Sequence, residues 1–301
     1  MDQVLINTLI RGGELSLLAI GVTMVYGTLR FPNFAHVEFA TAGAYITLFF
    51  SAVFGLDLVL AGVIAIVLVA LIGVASDVLV FRHLRLAHPV MPMIASFGLG
   101  IAIRETVRGS AGTSPFFLSQ TLAERWHVFG ATITDTQVLI LLLALLAVIG
   151  FHLLLTRTQL GIAMRAVSDN ADLSLASGIF SERIIRLVWL IGAAMAALGG
   201  ILIGLETQLQ PNMGIGLIIA MFAAALLGGI GNPYGAVLGA FVVAFAENVL
   251  LATNWAWLGT LVGMDVDYLM IPTGYKEAIS FVVLILVLLV RPRGILGDPA
   301  R

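Results

Sequence analysis

Apolar runs of roughly twenty residues, cut by short polar or glycine-rich joints, repeat from one end of this chain to the other. A bilayer core needs about 20 mostly apolar residues per helix, and that ruler places spans near 12–29, 37–54, 58–81, 90–108, 134–155, 184–205, 214–231, 235–253 and 277–291. The predicted fold is an all-α polytopic membrane protein of eight or nine transmembrane helices, forming one membrane domain over 1–301. One long polar island interrupts the pattern, Thr156 to Arg186. Within it Leu160, Ala163, Met164, Val167, Ala171 and Leu175 recur at helical spacing, while Arg165, Ser168, Asp169 and Asp172 fall on the other side. A short amphipathic helix outside the bilayer is expected there, stopped by Gly178. Such a helix can dock a soluble engine through an apolar ridge set into a groove; an ordinary interfacial loop helix has the same pattern.

Two stretches break the helical pattern: Gly27 to Glu38, and Gly228-Gly-Ile-Gly-Asn-Pro-Tyr-Gly-Ala236. Each combines glycine with an Asn/Pro couple that can end one helix and cap the next. Non-helical backbone at membrane depth survives inside protein or beside a water-filled cavity, and paired interruptions mark a substrate route in many transporters. The alternative is a pair of tight turns between antiparallel spans. Ionisable residues inside the spans are few: Glu14, Asp77, Arg104, Glu105, Glu206 and Glu247, with His36 and Glu38 just past the first break. Each costs roughly 2.5 to 3.5 kcal/mol near the bilayer centre and needs a partner, a cavity or a function. Glu38 and Glu247 follow the breaks and are the best functional candidates, against a reading as hydrogen-bonding glue between helices. Arg104 and Glu105 are expected to snorkel at the outer end.

Composition agrees: 60% of residues are hydrophobic and 11% charged, outside the range of soluble domains. With no cysteine and five scattered histidines, no metal site is expected. Arg82 and Arg85, Arg157, Arg165 and Arg183, and Arg291, Arg293 and Arg301 mark cytoplasmic loops under the positive-inside rule, so the N-terminus is expected outside and the C-terminus inside. The stretches 109–133 and 254–276 carry fewer positive residues and more aromatics (Phe116, Phe117, Trp126, Trp255, Trp257, Tyr268, Tyr275), as an outer interface does. The sequence contains no phosphate-binding G-x-x-x-x-G-K-[ST] loop, and its single lysine is Lys276. Any ATP chemistry must then come from a partner.

Thr23-Met-Val-Tyr-Gly27, Asn33-Phe-Ala-His-x-Glu38, Ala42-Gly-Ala-Tyr45, Ala95-Ser-Phe-Gly98, Leu160-Gly-x-Ala-Met-Arg-Ala166, Ala176-Ser-Gly-Ile179, Gly192-Ala-Ala-Met-Ala-Ala197, Leu227-Gly-Gly-Ile-Gly231, Ala246-Glu247, Tyr275-Lys-Glu-Ala278 and Arg291-Pro-x-Gly-Ile-Leu-Gly297 together resemble the permeases of branched-chain amino acid ABC importers, of the kind usually encoded first of the two. The resemblance implies a multi-pass inner-membrane permease without catalysis or cofactor of its own. It implies a second, related permease, two cytoplasmic ATPases that bind ATP and Mg, and a periplasmic binding protein that delivers substrate. It makes the segment at about 156–183, with Gly161, Met164, Arg165, Ala166, Asp169, Asp172 and Gly178, the ATPase coupling segment. Asn33, His36, Glu38, Gly229, Gly231, Asn232 and Glu247 become the candidate pathway residues. Two departures stand out: Val37 where the family usually has glycine, and a long outer stretch, Thr253 to Tyr275, holding Asp265 and Asp267. The expected substrate is a branched-chain or other small amino acid, then urea or short amides, then small carboxylates. A proton-coupled carrier working through Glu38 and Glu247 is the reading from another class.

Overall fold

A computed structural model describes residues 1–118, 124–128, 130–257, 269–291 and 294–296. Tyr268, Asp265, Asp267, Arg293, Arg301 and parts of the last motif lie outside the described residues. The chain is a helical bundle: α1 (Asp2–Leu29), α2 (His36–Phe54), α3 (Leu58–Leu84, with a π-helical turn at Asp77–Phe81) and α4 (Val90–Ala111) precede a small hairpin, β1 (Arg125–Val128) and β2 (Ala131–Thr134). Then follow α5 (Asp135–Arg157), α6 (Gln159–Asp169), α7 (Ala171–Ala176), α8 (Ser181–Glu206), α9 (Met213–Gly228), α10 (Pro233–Ala252) and α11 (Lys276–Val290). Among the described residues eight helices are long and apolar enough to cross a membrane, and α9 is a ninth, shorter apolar helix. Every expected span is therefore a helix.

At the centre α1 lies against α8 and α10, and α8 in turn carries α2 and α3. Small residues let these backbones approach: a Cβ on Gly43 of α2 would stand 2.7 Å from Ala197 Cα of α8. α1 begins well before the predicted position 12, because its polar first turns leave the apolar layer and meet the hairpin. There Gln3 exchanges hydrogen bonds with Thr132, donating at 3.2 Å and accepting at 2.9 Å. The faces of the bundle follow: one bears the hairpin, the other bears α6 and α7 with Arg157, Arg165 and Arg183.

The first break is re-entrant. His36, at the start of α2, packs its ring on Gly21 of α1 and against Gly192 of α8. Gly21 lies about two turns before the end of α1, so the chain climbs back roughly 12 Å into the bundle before α2 begins. Ala35 reaches Gly100 in the middle of α4. The second break is not its counterpart. Gly228 to Ala236 is a tight turn on the α6 face, where Gly229 and Gly231 take positive φ (105° and 92°) and Asn232 caps α10 by accepting from Tyr234 and Gly235 N–H. The partner of the first break is the segment 207–212. It folds back after α8, pairs Leu209 with Phe116, and delivers the N-terminus of α9 beside Glu38 and Thr41.

Candidate functional site

A ladder of alternating charge rises from where α2 and α9 begin. Glu38 is buried in the first turn of α2, and its Oε1 lies 3.4 Å from Arg104 Nη1. Arg104 Nε is 3.4 Å from Glu105 Oε1, and Glu105 in turn meets Arg108 at 3.1 Å. Arg108 Nη2 donates to Asn212 Oδ1 at 2.7 Å, which ties α4 to the second re-entrant segment. Contrary to expectation, Arg104 does not snorkel. Its side chain is 16% exposed because Glu38 offers an opposite charge inside the bundle, whereas Glu105 and Arg108 stay partly exposed. The free oxygen of Glu38 closes no hydrogen bond and faces Gly214 in the first turn of α9, 2.8 Å from where a side chain would begin. Positive dipole at that helix N-terminus meets the carboxylate.

Asn33, His36 and Glu38 are thus brought together on one short stretch. Asn33 Oδ1 accepts from Ala35 N–H at 3.1 Å and shapes the turn into α2, while both ring nitrogens of the buried His36 close no hydrogen bond of ordinary geometry. Val37 is fully buried in the core, and its backbone is not among those with positive φ, so the missing glycine costs α2 nothing. Phe34 donates its N–H to Ser96 Oγ at 3.0 Å and sets its ring 5.2 Å from Phe222 and 6.3 Å from Phe97. It also lines an apolar cavity of about 440 Å³ with Thr23, Tyr26, Pro32 and Phe222, into which sequence reasoning gave no view. A larger apolar groove of about 780 Å³ runs between α2, α3 and α4, away from the ladder.

The other pathway candidates lie elsewhere. Gly229, Gly231 and Asn232 sit on the α6 face, where Gly231 approaches Gly27 and Asn232 Nδ2 donates to the Leu296 carbonyl at 3.2 Å. Glu247 belongs to a separate buried cluster among α1, α10 and α11. It lies 3.3 Å from Arg11 Nε and 3.8 Å from Lys276 Nζ, and accepts from Ser280 Oγ. Glu14 shares Arg11 at 3.5 Å, and Glu206 accepts from Gln137 at 3.3 Å near the hairpin face. Asp77, in the π-helical turn, receives both oxygens' bonds from Arg85 at 2.7 and 2.6 Å, and Arg85 also meets Glu182.

The polar island forms two helices where the spacing predicted one. Asn170 divides them: its side chain accepts from Asp172 and Leu173 N–H, which starts α7. Gly178 follows α7 with φ 84° and ends it as expected. Gly161, Met164 and Val167 of α6 face inward and are buried; at Gly161 a side chain would strike the carbonyls that end α5. Arg165 Nη1 donates to the Leu155 carbonyl, and the Ala166 carbonyl accepts from Asn170 at 3.0 Å. The apolar ridge of α6 is thus covered by its own bundle. What faces outward instead is Leu173 (65% exposed), Leu175 and Phe180 (59%), joined by Ile162 of α6, with Asp169 and Asp172 also exposed.

Comparison with known proteins places this geometry. Residues 4–288 match the family described as the permease component of branched-chain amino acid transport systems. The high-affinity branched-chain amino acid transport system permease protein LivH of Escherichia coli K12 is 33% identical over 99% of this chain and 96% of its own. BraD of Pseudomonas aeruginosa, of the same description, is 34% identical with the same coverage, and a probable LivH of Methanocaldococcus jannaschii is 30% identical over 98% of this chain. Among solved structures, PsaBC from Streptococcus pneumoniae superimposes with a TM-score of 0.50 over 96% of this chain and 92% of its own at 11% identity, a likeness of fold. This helical bundle with a re-entrant first break, matched nearly end to end by these relatives, belongs to the branched-chain amino acid ABC-transporter permease family.

Proposed function

We propose that the chain is the permease subunit of an ATP-driven importer for branched-chain or other small amino acids, set in a bacterial inner membrane. A periplasmic binding protein delivers substrate to the hairpin face. Separate ATPases, which bind ATP and Mg, act on the α6 face, and a second permease completes the path; this chain itself catalyses nothing. The reading rests on the outward patch of Leu173, Leu175 and Phe180 on a segment whose inner face is already satisfied. A self-contained carrier has no use for exposed apolar side chains there. Glu38 and Glu247 argue against proton coupling, since each is held by a guanidinium within 3.4 Å and a proton carrier needs a carboxylate that sheds its partners.

The ladder supports an amino acid over urea or a simple carboxylate. Both signs of charge alternate from the outer end of α4 to the start of α2 and α9, matching a zwitterion's ammonium and carboxylate. The decisive experiment is purification from mild detergent with and without Leu173→Asp plus Phe180→Asp. The parent is expected to bring down P-loop ATPases and a second permease. The double variant should retain about a tenth or less of that ATPase, since each 1.4 kcal/mol of lost interface energy is tenfold. A parent that transports in liposomes without any ATPase would instead be a secondary carrier.

A further inference from the structure

The re-entrant segment is fastened to the docking segment by two hydrogen bonds. Ser168 Oγ, near the end of α6, donates to the Gly27 carbonyl at 2.8 Å, and Arg30 Nη2 donates to the Ser168 carbonyl at 2.9 Å. Arg30 has φ 58°, and among the described residues no other non-glycine residue has positive φ. That left-handed conformation is unfavourable by roughly 1–2 kcal/mol and turns the chain out of α1 into residues 31–35. Strain of this kind persists where the surroundings over-determine it, and here Ser168 grips the strained residue. Past the turn every side chain that matters is seated. Phe31 stacks on Phe81 in the π-helical turn at 5.4 Å, Phe81 on Trp189 of α8 at 4.7 Å, and Phe34 stands at the aromatic junction with Phe97 and Phe222. One turn further lies Glu38. A stiff path thus runs from α6 through Ser168 and Arg30 to the cavity wall and the foot of the charge ladder.

We propose that Ser168 and Arg30 are the positioning residues through which movement of α6 and α7 reaches residues 31–36, shifting Phe34 and the start of α2 between two arrangements. The inference rests on the importer reading. Packed aromatic seats favour discrete positions over continuous ones, so a small displacement of α6 becomes a change of seat. Ser168 touches neither the outward patch nor the ladder; its part is to hold the link.

The test uses the assembled importer in liposomes with its binding protein, leucine as probe substrate, and three variants of this chain. Ser168→Ala removes one bond, Arg30→Gly removes the other while keeping the left-handed turn, and Ser168→Thr keeps the hydroxyl. All three are expected to assemble and to hydrolyse ATP within about twofold of the parent. Leucine moved per ATP should fall about fivefold in the first two, the weight of one hydrogen bond, and recover in Ser168→Thr. A second readout is Pro32→Cys, in a chain that has no cysteine of its own. Its labelling rate should change with nucleotide in the parent background and stop changing with Ser168→Ala. An unchanged ratio of transport to hydrolysis, or the two falling in proportion, overturns the link alone. A parent preparation without ATPase overturns the importer reading and the link with it.

Discussion

Glu247 is a carboxylate that three partners need. Arg11, Lys276 and Ser280 converge on it from two other helices, so its removal leaves Arg11 with Glu14 alone and takes from Lys276 its carboxylate at 3.8 Å. Breaking a buried pair from one side destabilises by about 3 to 5 kcal/mol; Glu247→Ala should show that loss as a lowered unfolding midpoint in detergent, and an unchanged midpoint would mean the cluster carries no stability. Arg104 and Glu38 permit a sharper experiment. Arg104→Gln leaves a buried carboxylate without its cation, whereas Arg104→Gln combined with Glu38→Gln leaves no charge. The double variant should be the more stable of the two by about 1 kcal/mol or more, a coupling that a thermodynamic cycle measures directly. Additive losses would show that the 3.4 Å pair is incidental.

Among the elements, α2 and α8 approach closely. A Cβ on Gly43 would stand 2.7 and 2.8 Å from Ala197 Cα and Cβ, both rigid parts of the facing helix. Gly43→Val should therefore force the helices apart, at a cost of about 1–3 kcal/mol, read as a lower midpoint and poorer yield. Gly98 of α4 has open space at the same test, and Gly98→Ala should be neutral or gain up to about 1 kcal/mol from helix propensity. Equal effects at the two positions would contradict the packing described here. The islands and breaks carry a lesson at this scale. Helical spacing in 160–175 showed that an apolar face exists; it could not show that Gly161, Met164 and Val167 would spend it on their own bundle, leaving Leu173, Leu175 and Phe180 outside. Likewise Gly228 to Ala236 and Gly27 to Glu38 share a composition, yet one is a surface turn and the other climbs into the bundle, because depth depends on what the helices on either side lean against.

For the whole molecule, the basic loops and the hairpin lie on opposite faces, and the proposed orientation puts Gln3 and Thr132 outside and α7 inside. A membrane-impermeant thiol reagent applied to intact cells should label Gln3→Cys and spare Leu173→Cys, and inverted vesicles should reverse the result; labelling of both from one side would overturn the topology. The apolar runs alone determined the class and the places of the helices, since a bilayer demands length and hydropathy that no other environment does. Motifs in order along the chain pointed to the family. Tertiary structure decided which residues meet at the candidate site. Asn33, His36 and Glu38 stand next to one another in sequence and were visible as a group, but Glu38 finds Arg104 across 66 positions, Asn212 reaches Arg108 across 104, and Phe34 meets Phe222 only because residues 207–212 fold back as 30–35 do. Such pairings arise when charges and rings withdrawn from lipid must satisfy each other, and the periodicity of one helix says nothing about which neighbour will answer.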